Sequence, residues 1–561
     1  MLRDQTTGPN SIRVLDPAGL VQHHTSGSSL AMHPIQWPET LHNKKFGFLS
    51  NGKPNVENLC RIFGELLVEH GGKLACSFTK EGPVVPAGED IISALAVSVD
   101  IVVMGVCDGG TAVSWGIQDA LILANQGVPV VLVCSDAFVP LARSIMPLEA
   151  DGVHLITVPH PFSSLLEPEV GEIAKNFVTA LDNALTTGEW PDWRNTSAMA
   201  VDPIEQLQPH HRHSTFSLPD EDPIVASQAL YQRGLTDGLP VGIPTPYCVD
   251  AALSSWSGAE NMKDIAIIPP RNGRATPTAV ATNAVLAGLP SQLLPYLAAT
   301  IKAACQSEFN LFGLQTTTNP ATPVIVVGGP RRQEFGFNHG LGALGPGNMA
   351  NATLGRALRL CMQNLGGARV GDGSDPGTMG QPGKYTFCFA ADEETCPWLP
   401  LRLQTAPNEL SLNDDTVTLI AGTGSLNMII KSTSGKELLA MISSSIRISG
   451  SNDYMFGGHP LLILCPEHMA ILKRDGFGLT ETRAYLFEHT KIPFSEFLPK
   501  NQEMMLAPRA HEFESFAPDT AIPMVENPSD FLICAAGGPS LHSTFVPSFG
   551  GSHPVSAKVK F

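Results

Sequence analysis

Residues 104–115, which read MGVCDGGTAVSW, combine a thiol, a carboxylate and two consecutive glycines at the end of an apolar run. A helical alternation follows from Trp115, so the segment predicts a turn from a strand into a helix. Backbone N–H groups at such a turn favour an anion such as a carboxylate or a phosphate. We therefore expect this loop to contact a substrate through Cys107, Asp108, Gly109, Gly110 and Thr111. The alternative is that the glycines only permit a tight turn.

Cys107 has two interpretations. A helix start lowers the pKa of a thiol and would make Cys107 a nucleophile. Cys107 is also placed as the last inward residue of a buried strand, and we favour this structural role. The loop contains neither the GxGxxG pattern of dinucleotide-binding proteins nor the Gly-Lys-Ser/Thr of a P-loop.

Other polar residues follow predicted strands of the same region. The motif SNGKPN contributes Asn51, Lys53 and Asn55, and the motif VPHP contributes His160. Because the carboxyl ends of parallel strands meet at one edge of a sheet, we expect these side chains to line the same crevice and to bind substrate.

The second half of the chain has polar motifs of its own. LQTTTN at 314–319 and the glycine-rich segment at 335–358 contribute further candidate binding residues, which are Thr318, Asn319, Asn338, Asn348 and Asn351. Each asparagine side chain offers donors and an acceptor and can orient a substrate without carrying a charge. Asparagine and glycine are also ordinary turn residues, so a purely structural loop is the alternative.

Acid-base or nucleophilic chemistry is assigned to four residues. His339 lies in the glycine-rich segment, and Lys384, Cys388 and Glu393 lie in GKYTFCFAADEETCPW at 383–398. A strand over 385–389 would place Cys388 on the face opposite Phe389. A core role for Cys388 fits this pattern equally well.

Alternating apolar and amphipathic segments supply the elements that must position these residues. Strands are predicted at 45–50, 73–78, 100–106, 129–135 and 154–159, and helices at 55–70, 88–99, 112–126, 138–148 and 168–187. This spacing is typical of parallel βαβ units. It predicts an α/β fold with an N-terminal doubly wound (Rossmann/flavodoxin-like) parallel sheet.

The chain is long enough for more than one core. We predict an irregular arm at 1–44, the doubly wound domain at 45–190, a linker at 191–223, a larger α/β domain at 224–505 and a tail at 506–561. The larger domain is predicted from helices at 224–234, 276–287, 291–304 and 350–365 and strands at 265–268, 323–328, 385–389, 417–421 and 461–465. The HHRH cluster at 210–213 could bind a metal, but a solvated linker is the favoured interpretation.

Composition limits the classes of partner. The 53 acidic and 35 basic residues give a net charge of −18, which disfavours nucleic acid. No apolar run approaches the ~20 residues that cross a bilayer, so no membrane partner is expected. Eleven scattered cysteines without a CxxC motif indicate reduced thiols and a cytoplasmic location. The sequence leaves open whether the protein forms a homo-oligomer.

The motifs together resemble a known family. They are similar to the UGSC-type selenoproteins and their cysteine homologues, a family named for a Sec-Gly-Ser-Cys motif. The motifs that carry the resemblance are the loop at 104–115, SNGKPN, VPHP, TDGLPV, IPPRNGRAT, TTNPATP, GPGNMANATLGRALRL, GKYTFCFAADEE and CPEHMAIL. The resemblance covers most of residues 45–500. When Asp108 and Ser114-Trp115 are aligned, the family's selenocysteine or cysteine falls on Gly109 and its second cysteine on Ala112. The resemblance thus implies a member that lacks both redox residues.

Three functions stay open at this point. We favour an enzyme that performs a non-redox reaction on an anionic or sulfur-containing metabolite in an interdomain cleft. The reaction would be a C–S or other C–heteroatom cleavage (a lyase), an addition or a transfer. The alternatives are a thiol-dependent oxidoreductase that uses Cys107 or Cys388, and an inactive binding or scaffold protein. No cofactor is expected; a divalent metal is left open, because His339, His459 and His468 are available without diagnostic spacing.

Overall fold

The structure is a computed structural model that describes residues 11–18, 35–146, 150, 152–191, 215–218, 222–371, 373–513, 515–539 and 541–561. Most of the predicted linker, including the HHRH cluster at 210–213, lies outside these residues. We call residues 45–187 the N-terminal unit and the described residues from 222 onwards the C-terminal unit. Among the described helices, none combines the length and the apolar character needed to cross a membrane.

The N-terminal unit is a parallel five-stranded sheet with helices on both faces, which confirms the predicted fold class. Its strands are β2 (Lys45–Ser50), β3 (Lys73–Thr79), β4 (Ile101–Cys107), β5 (Val130–Ser135) and β6 (Val153–Val158), and its helices are α1 (Val56–Glu69), α2 (Glu89–Ser98), α3 (Gly110–Asn125), α4 (Val139–Ile145) and α5 (Glu167–Thr187). The strand order is β3-β2-β4-β5-β6. All neighbouring strands are parallel.

Strand β4 shows why these segments form a buried sheet. All its residues are buried. Ile101 and Val103 pack with α1 and α5 on one face, whereas Val102 and Met104 pack with α2, α3 and α4 on the other. Because both faces of this strand are covered by helices, its residues form a continuous apolar run in the sequence.

The C-terminal unit contains two four-stranded sheets. Its helices are α6 (Pro223–Gln232), α7 (Pro246–Ser254), α8 (Pro277–Ala287), α9 (Leu294–Ala304), α10 (Leu311–Thr316), α11 (Met349–Asn364), α12 (Leu401–Thr405), α13 (Gly435–Ile446), α14 (Asn452–Phe456), α15 (Pro466–Arg474), α16 (Leu479–His489) and α17 (Pro499–Leu506). Its strands are β8 (Ala266–Ile268), β9 (Gly273–Ala275), β10 (Thr322–Gly328), β11 (Cys388–Ala390), β12 (Thr416–Gly422), β13 (Leu426–Ile429), β14 (Leu461–Leu464), β15 (Ile492–Pro493), β16 (Ala521–Ile522), β17 (Leu532–Ala535), β18 (His542–Val546) and β19 (Val555–Lys558).

The two sheets, ordered β11-β10-β12-β19 and β13-β18-β14-β17, pack face to face. Val324 and Val326 of β10 share a core with Leu461 and Ile463 of β14 between the sheets. Helices α8, α9 and α11 cover the outer face of the first sheet, and α13, α15 and α16 cover that of the second. The unit therefore has four layers.

Three predicted segments differ from the observed structure. The predicted strand at 385–389 begins only at Cys388, because residues 382–384 form a short turn of helix first. Parts of the predicted arm and linker form a strand pair, β1 (Ile12–Leu15) with β7 (Thr215–Leu218). Residues 506–561 are not a tail, since β17, β18 and β19 are members of the two sheets. Their strand pattern is weak because each strand is short and pairs with strands distant in sequence.

The carboxyl edge of the N-terminal sheet faces the C-terminal unit. The ring of Trp115 on α3 packs edge-on against Phe312 on α10, with 5.1 Å between the ring centroids. A Cβ added to Gly110 would overlap with the carbonyl oxygen of Thr316. Glycine is therefore required at this position for close approach of the two backbones.

Candidate functional site

The strand order places the loops after β2 and β4 beside each other. Counted within the N-terminal unit alone, the order is 2-1-3-4-5, the flavodoxin-like arrangement. The connections leave β2 and β4 toward opposite faces of the sheet, so a crevice opens between these two strands at their carboxyl ends. Lys53 follows β2, and Asp108 and Gly109 follow β4.

Asp108 is a buried carboxylate with a complete set of partners. Its Oδ1 lies 2.7 Å from Nδ1 of His160, and its Oδ2 accepts a 3.0 Å hydrogen bond from the backbone N–H of Ser163. Burial by itself would raise the pKa of Asp108. The Lys53 charge and the hydrogen bonds from Ser163, Ser135 and His160 outweigh burial and lower this pKa to about 2. Asp108 is therefore an anion that fixes the loop and orients His160.

Lys53 lies against the loop where the resemblance places the family's chalcogen. Its ammonium donates a hydrogen bond to the carbonyl oxygen of Asp108. A Cβ added to Gly109 would lie 2.8 Å from Lys53 Nζ. Burial lowers the pKa of Lys53, while the charge of Asp108 acts in the opposite direction. Lys53 thus occupies the space beside Gly109 with a positive charge.

The start of α3 is buried against the C-terminal unit, and its first amide groups have no partner in the part of the chain that the structure describes. Its N-cap residue is Gly109, which has no side chain to accept a hydrogen bond. Among the described residues, none accepts a hydrogen bond from the amide groups of Gly110, Thr111 and Ala112. Free amide donors at a helix start and the helix dipole both favour an anion.

The C-terminal unit supplies the opposite wall. Pro376 packs on Gly110, where an added Cβ would lie 2.8 Å from Pro376 Cγ. The adjoining carboxylate of Asp375 lies 3.2 Å from Lys384 Nζ through Oδ1 and 3.2 Å from Arg359 Nη2 through Oδ2. Burial lowers the pKa of Lys384, and Asp375 opposes that shift. Of the four predicted catalytic residues, Lys384 is the one that lies within this network beside α3.

Thr318 and Asn319 also belong to this wall. The carbonyl oxygen of Thr318 accepts a hydrogen bond from the backbone N–H of Thr378, three residues after Asp375. Asn319 donates its backbone N–H to Thr317 Oγ1, while its side-chain Oδ1 is buried without a hydrogen-bond partner. An unsatisfied buried acceptor is costly, so Asn319 is suited to receive a ligand donor.

Basic and acidic side chains meet at the crevice. Lys53, Lys384 and Arg359 lie with two carboxylates, Asp108 and Asp375. The α3 start and Lys53 are the groups suited to meet the charge of an anion.

Several predicted binding residues have structural partners instead. Asn51 donates its Nδ2 to the carbonyl oxygen of Val106, and Asn55 donates its Nδ2 to those of Phe162 and Leu165. These side chains hold the loops of the crevice in place. His160 keeps 40% of its side chain exposed and remains available to a ligand.

The glycine-rich asparagines form a closed network away from the crevice. Asn351 accepts a hydrogen bond from the backbone of Asn338 and donates to the carbonyl oxygens of Asn338 and Ala343. Asn348 caps α11, and Asn338 bonds within its own turn. The structural alternative therefore accounts for all three.

Three predicted catalytic residues are separated from Lys384. Cys388 is buried in the core, and burial raises the pKa of its thiol. Glu393 forms two 2.9 Å hydrogen bonds with the buried guanidinium of Arg402. His339 lies near Asp392, with 3.9 Å between its Nδ1 and Asp392 Oδ2. Cys388 and Glu393 therefore have structural roles.

Cys107 is a core residue, as the structural interpretation predicts. Its side chain packs between β4 and α3, and burial raises the pKa of the thiol to about 12. The thiol donates a weak hydrogen bond to the carbonyl oxygen of Ala112. Because the thiolate is the reactive form, this environment makes Cys107 a poor nucleophile.

Sequence reasoning missed Asp375 and Arg359. The signal available for Asp375 was the polar, glycine-rich run at 373–380 before Lys384, which resembles an ordinary loop. Arg359 lies within α11 and carried no signal of its own. Metal-ligating groups that converge among the described residues lie elsewhere, at His511, Glu512 and Glu526.

Comparison with known protein families matches residues 13–187 to the UGSC family. Comparison with curated proteins finds no match, and comparison with solved structures finds none. The match spans the N-terminal unit and therefore includes Lys53, Asp108, Gly109 and His160.

Proposed function

We propose, starting from the match of residues 13–187 to the UGSC family, that the protein is a non-redox enzyme acting on a small anionic metabolite. The substrate is bound between the two units, with its carboxylate or phosphate on the start of α3. One observation carries the proposal. Helix α3 begins at the crevice between β2 and β4, and its first amide groups have no hydrogen-bond partner among the described residues. Lys53 lies on one side of this helix start, and the wall that contains Lys384 lies on the other.

The resemblance implies that this chain lacks the family's redox pair, which favours a non-redox reaction. A dithiol or selenylsulfide cycle needs two chalcogens within reach. In the alignment that the resemblance implies, those positions are Gly109 and Ala112. Cys107 and Cys388 do not replace them, because both thiols are buried and their pKa values are raised. The thiol-dependent oxidoreductase is therefore the less supported alternative.

Lys384 is the proposed proton acceptor. Burial lowers the pKa of its ammonium, which increases the fraction of neutral amine at neutral pH, and Asp375 fixes its position. In an elimination, the Lys384 amine takes a proton from a carbon beside the anionic group. A carbon–carbon double bond forms, and the sulfur or other heteroatom leaves with the bonding electron pair. His160, oriented by Asp108 and partly exposed, supplies the proton to the leaving atom.

Ligand-dependent stability tests the binding half of the proposal. We expect a carboxylate or phosphate from a panel of thioethers, hydroxy acids and phosphate esters to raise the melting temperature of the wild type. A ligand at 100 times its Kd adds about 2.7 kcal/mol. Lys53→Met should abolish the shift, whereas Lys263→Met, at an exposed lysine of the C-terminal unit, should preserve it.

Product analysis tests the chemical half. Incubation with a ligand that binds should release the heteroatom-containing fragment with wild type and not with Lys384→Met. Binding by wild type without conversion of any ligand would contradict the enzyme and favour the binding-protein alternative. Conversion that persists in Lys384→Met would reject the role given to this lysine.

A further inference from the structure

A second polar cavity lies outside the α3 crevice. It has a volume of about 280 Å³ and lies where the loop after β3 meets the C-terminal segment. Six ionisable side chains line it: Glu81, His459, His511, Glu526, Asp530 and His553. Three imidazoles and three carboxylates with no lysine or arginine in the lining form a donor set for a cation.

The cavity is held between the two units. A Cβ added to Gly82 would lie 3.3 Å from Pro508 Cγ, and one added to Gly551 would lie 2.7 Å from Val84 Cγ2. Asn310 donates its Nδ2 to the carbonyl oxygens of Val84 and Gly551, at 2.8 Å each. The backbone that presents the lining residues is therefore fixed by packing and hydrogen bonds.

Three potential metal ligands lie close together at one edge of the cavity, where His511 and Glu526 belong to its lining and Glu512 lies beside them. His511, Glu512 and Glu526 each offer an atom, and these atoms all lie within 4.8 Å of one another. His511 Nε2 is 3.4 Å from Glu526 Oε2. Donor atoms bound to one transition-metal ion at about 2.0–2.2 Å lie within roughly 4.4 Å of each other, so small rotations of the side chains bring them into position.

Buried Arg509 positions the third ligand. Its Nε and Nη2 each donate a 2.6 Å hydrogen bond to one oxygen of Glu512. Each carboxylate oxygen keeps a second lone pair for a metal ion. Hydrogen bonds that orient a ligating carboxylate are a regular part of metal sites.

One wall of the cavity is built from histidines. The rings of His459 and His553 lie with their centroids 4.8 Å apart, and His459 Nε2 is 3.7 Å from Asp530 Oδ1. The Nδ1 of His459 is buried and forms no hydrogen bond with any described residue. This wall can accept water or a small ligand on the open positions of the ion.

We propose that a divalent transition-metal ion binds at the edge of this cavity, through His511 and Glu526 of its lining and Glu512 beside them. Mixed imidazole and carboxylate ligands suit zinc, cobalt or manganese. The site is separate from the α3 crevice and does not depend on the function proposed there.

The test measures metal binding to the full-length protein after removal of metals with a chelator. Because the HHRH cluster could bind a transition metal by itself, His210, His211 and His213 are replaced by glutamine in every sample to exclude this contribution. Cobalt is titrated and followed by its visible absorption, and zinc is measured by equilibrium dialysis. We expect one equivalent of metal to bind.

Variants locate the ion. His511→Gln with Glu526→Gln should weaken binding at least about tenfold, and His511→Gln alone should remove the imidazole signature from the cobalt spectrum. Both side chains are substantially exposed, at 58% and 41%, so the fold should tolerate these changes. Glu488→Gln with His489→Gln, an exposed pair on α16, is the matched control and should leave binding unchanged.

Two results would overturn the proposal. One is the absence of cobalt and zinc binding once the HHRH cluster is replaced. The other is binding of equal strength in the double variant and in the control, which would place the ion elsewhere.

Discussion

At the scale of single residues, Gly109 has a backbone conformation that favours glycine. Its φ is +152°, in a region that L side chains rarely adopt. An added Cβ would also lie against the Lys53 ammonium. A cysteine at this position would therefore require a different backbone and a displaced lysine.

Asp108→Asn tests the electrostatics of the same loop. The folded pKa of about 2 is below the ordinary aspartate pKa of about 3.9. A depressed carboxylate pKa contributes stability above the unfolded value, and this contribution is lost as pH falls through the folded value. We expect Asp108→Asn to lower the free energy of unfolding by about 2 kcal/mol at pH 7, with the difference from wild type shrinking between pH 4 and pH 2.

Urea unfolding of both proteins across this pH range measures the effect. Asp250→Asn, at an exposed carboxylate on α7, serves as the control and should show little difference from wild type. A difference for Asp108→Asn that stays constant with pH would show that lost packing, and not charge, dominates.

At the scale of elements, the segment before α11 shows how asparagines build a loop. Asn351 lies in the first turn of α11 and ties together the backbone at 338 and 343. Its own N–H is accepted by Asn348 Oδ1 at 2.8 Å. These asparagine side chains could orient a substrate, but here they form hydrogen bonds with backbone groups that have no partner within the helix.

Asn351→Ala should therefore reduce stability. The substitution leaves the backbone N–H of Asn338 and the carbonyl oxygen of Ala343 without these partners, whereas the carbonyl oxygen of Asn338 keeps its hydrogen bond from the backbone N–H of Ala390. We expect a cost of about 2 kcal/mol in the free energy of unfolding. Met349→Ala, an exposed position in the same helix, should change it by less than about 0.5 kcal/mol. Urea unfolding gives both values. If the Asn351→Ala protein were as stable as the wild type but no longer bound ligand, the result would support the substrate-binding role that the sequence predicts for Asn351.

At the scale of the whole molecule, the C-terminal segment completes the core of the second unit. Strand β19 pairs antiparallel with β12 and is the edge of its sheet. Val555 and Val559 are buried in the core that α8, α9 and α11 cover. Phe561 stacks on Phe335, with 5.0 Å between the ring centroids.

Deleting residues 554–561 should destabilise the C-terminal unit and leave the N-terminal sheet folded. Removing the burial of two valines costs at least about 3 kcal/mol and exposes β12 as a new edge. We expect limited proteolysis to cleave the C-terminal unit first, and a lower urea midpoint. Lys560→Ala, at an exposed position, should behave like wild type. Equal protease resistance of the truncated and intact proteins would contradict this role of β19.

The sequence by itself determined the N-terminal unit. The five strands from Lys45 to Val158 and their five helices follow from local hydrophobic patterns. Strands β2, β4 and β5 are almost wholly buried apolar runs, whereas the edge strand β3 alternates exposed and half-buried residues. The periodicity of apolar residues indicates which face of a helix or strand is buried, and a few neighbouring residues are enough to show it. The same signal is weak for β17, β18 and β19, which are four or five residues long.

Only the tertiary structure decided which polar residues meet. Lys53, Gly109 and Gly110 were expected at one strand edge, and they lie there. Asp375 and Lys384 join the wall opposite them because α10 packs on α3, a contact between segments about two hundred residues apart in the chain. Such convergence depends on how whole layers pack, and no local pattern encodes it. The sequence therefore determined the elements and their buried faces, while packing between the units decided the composition of the site.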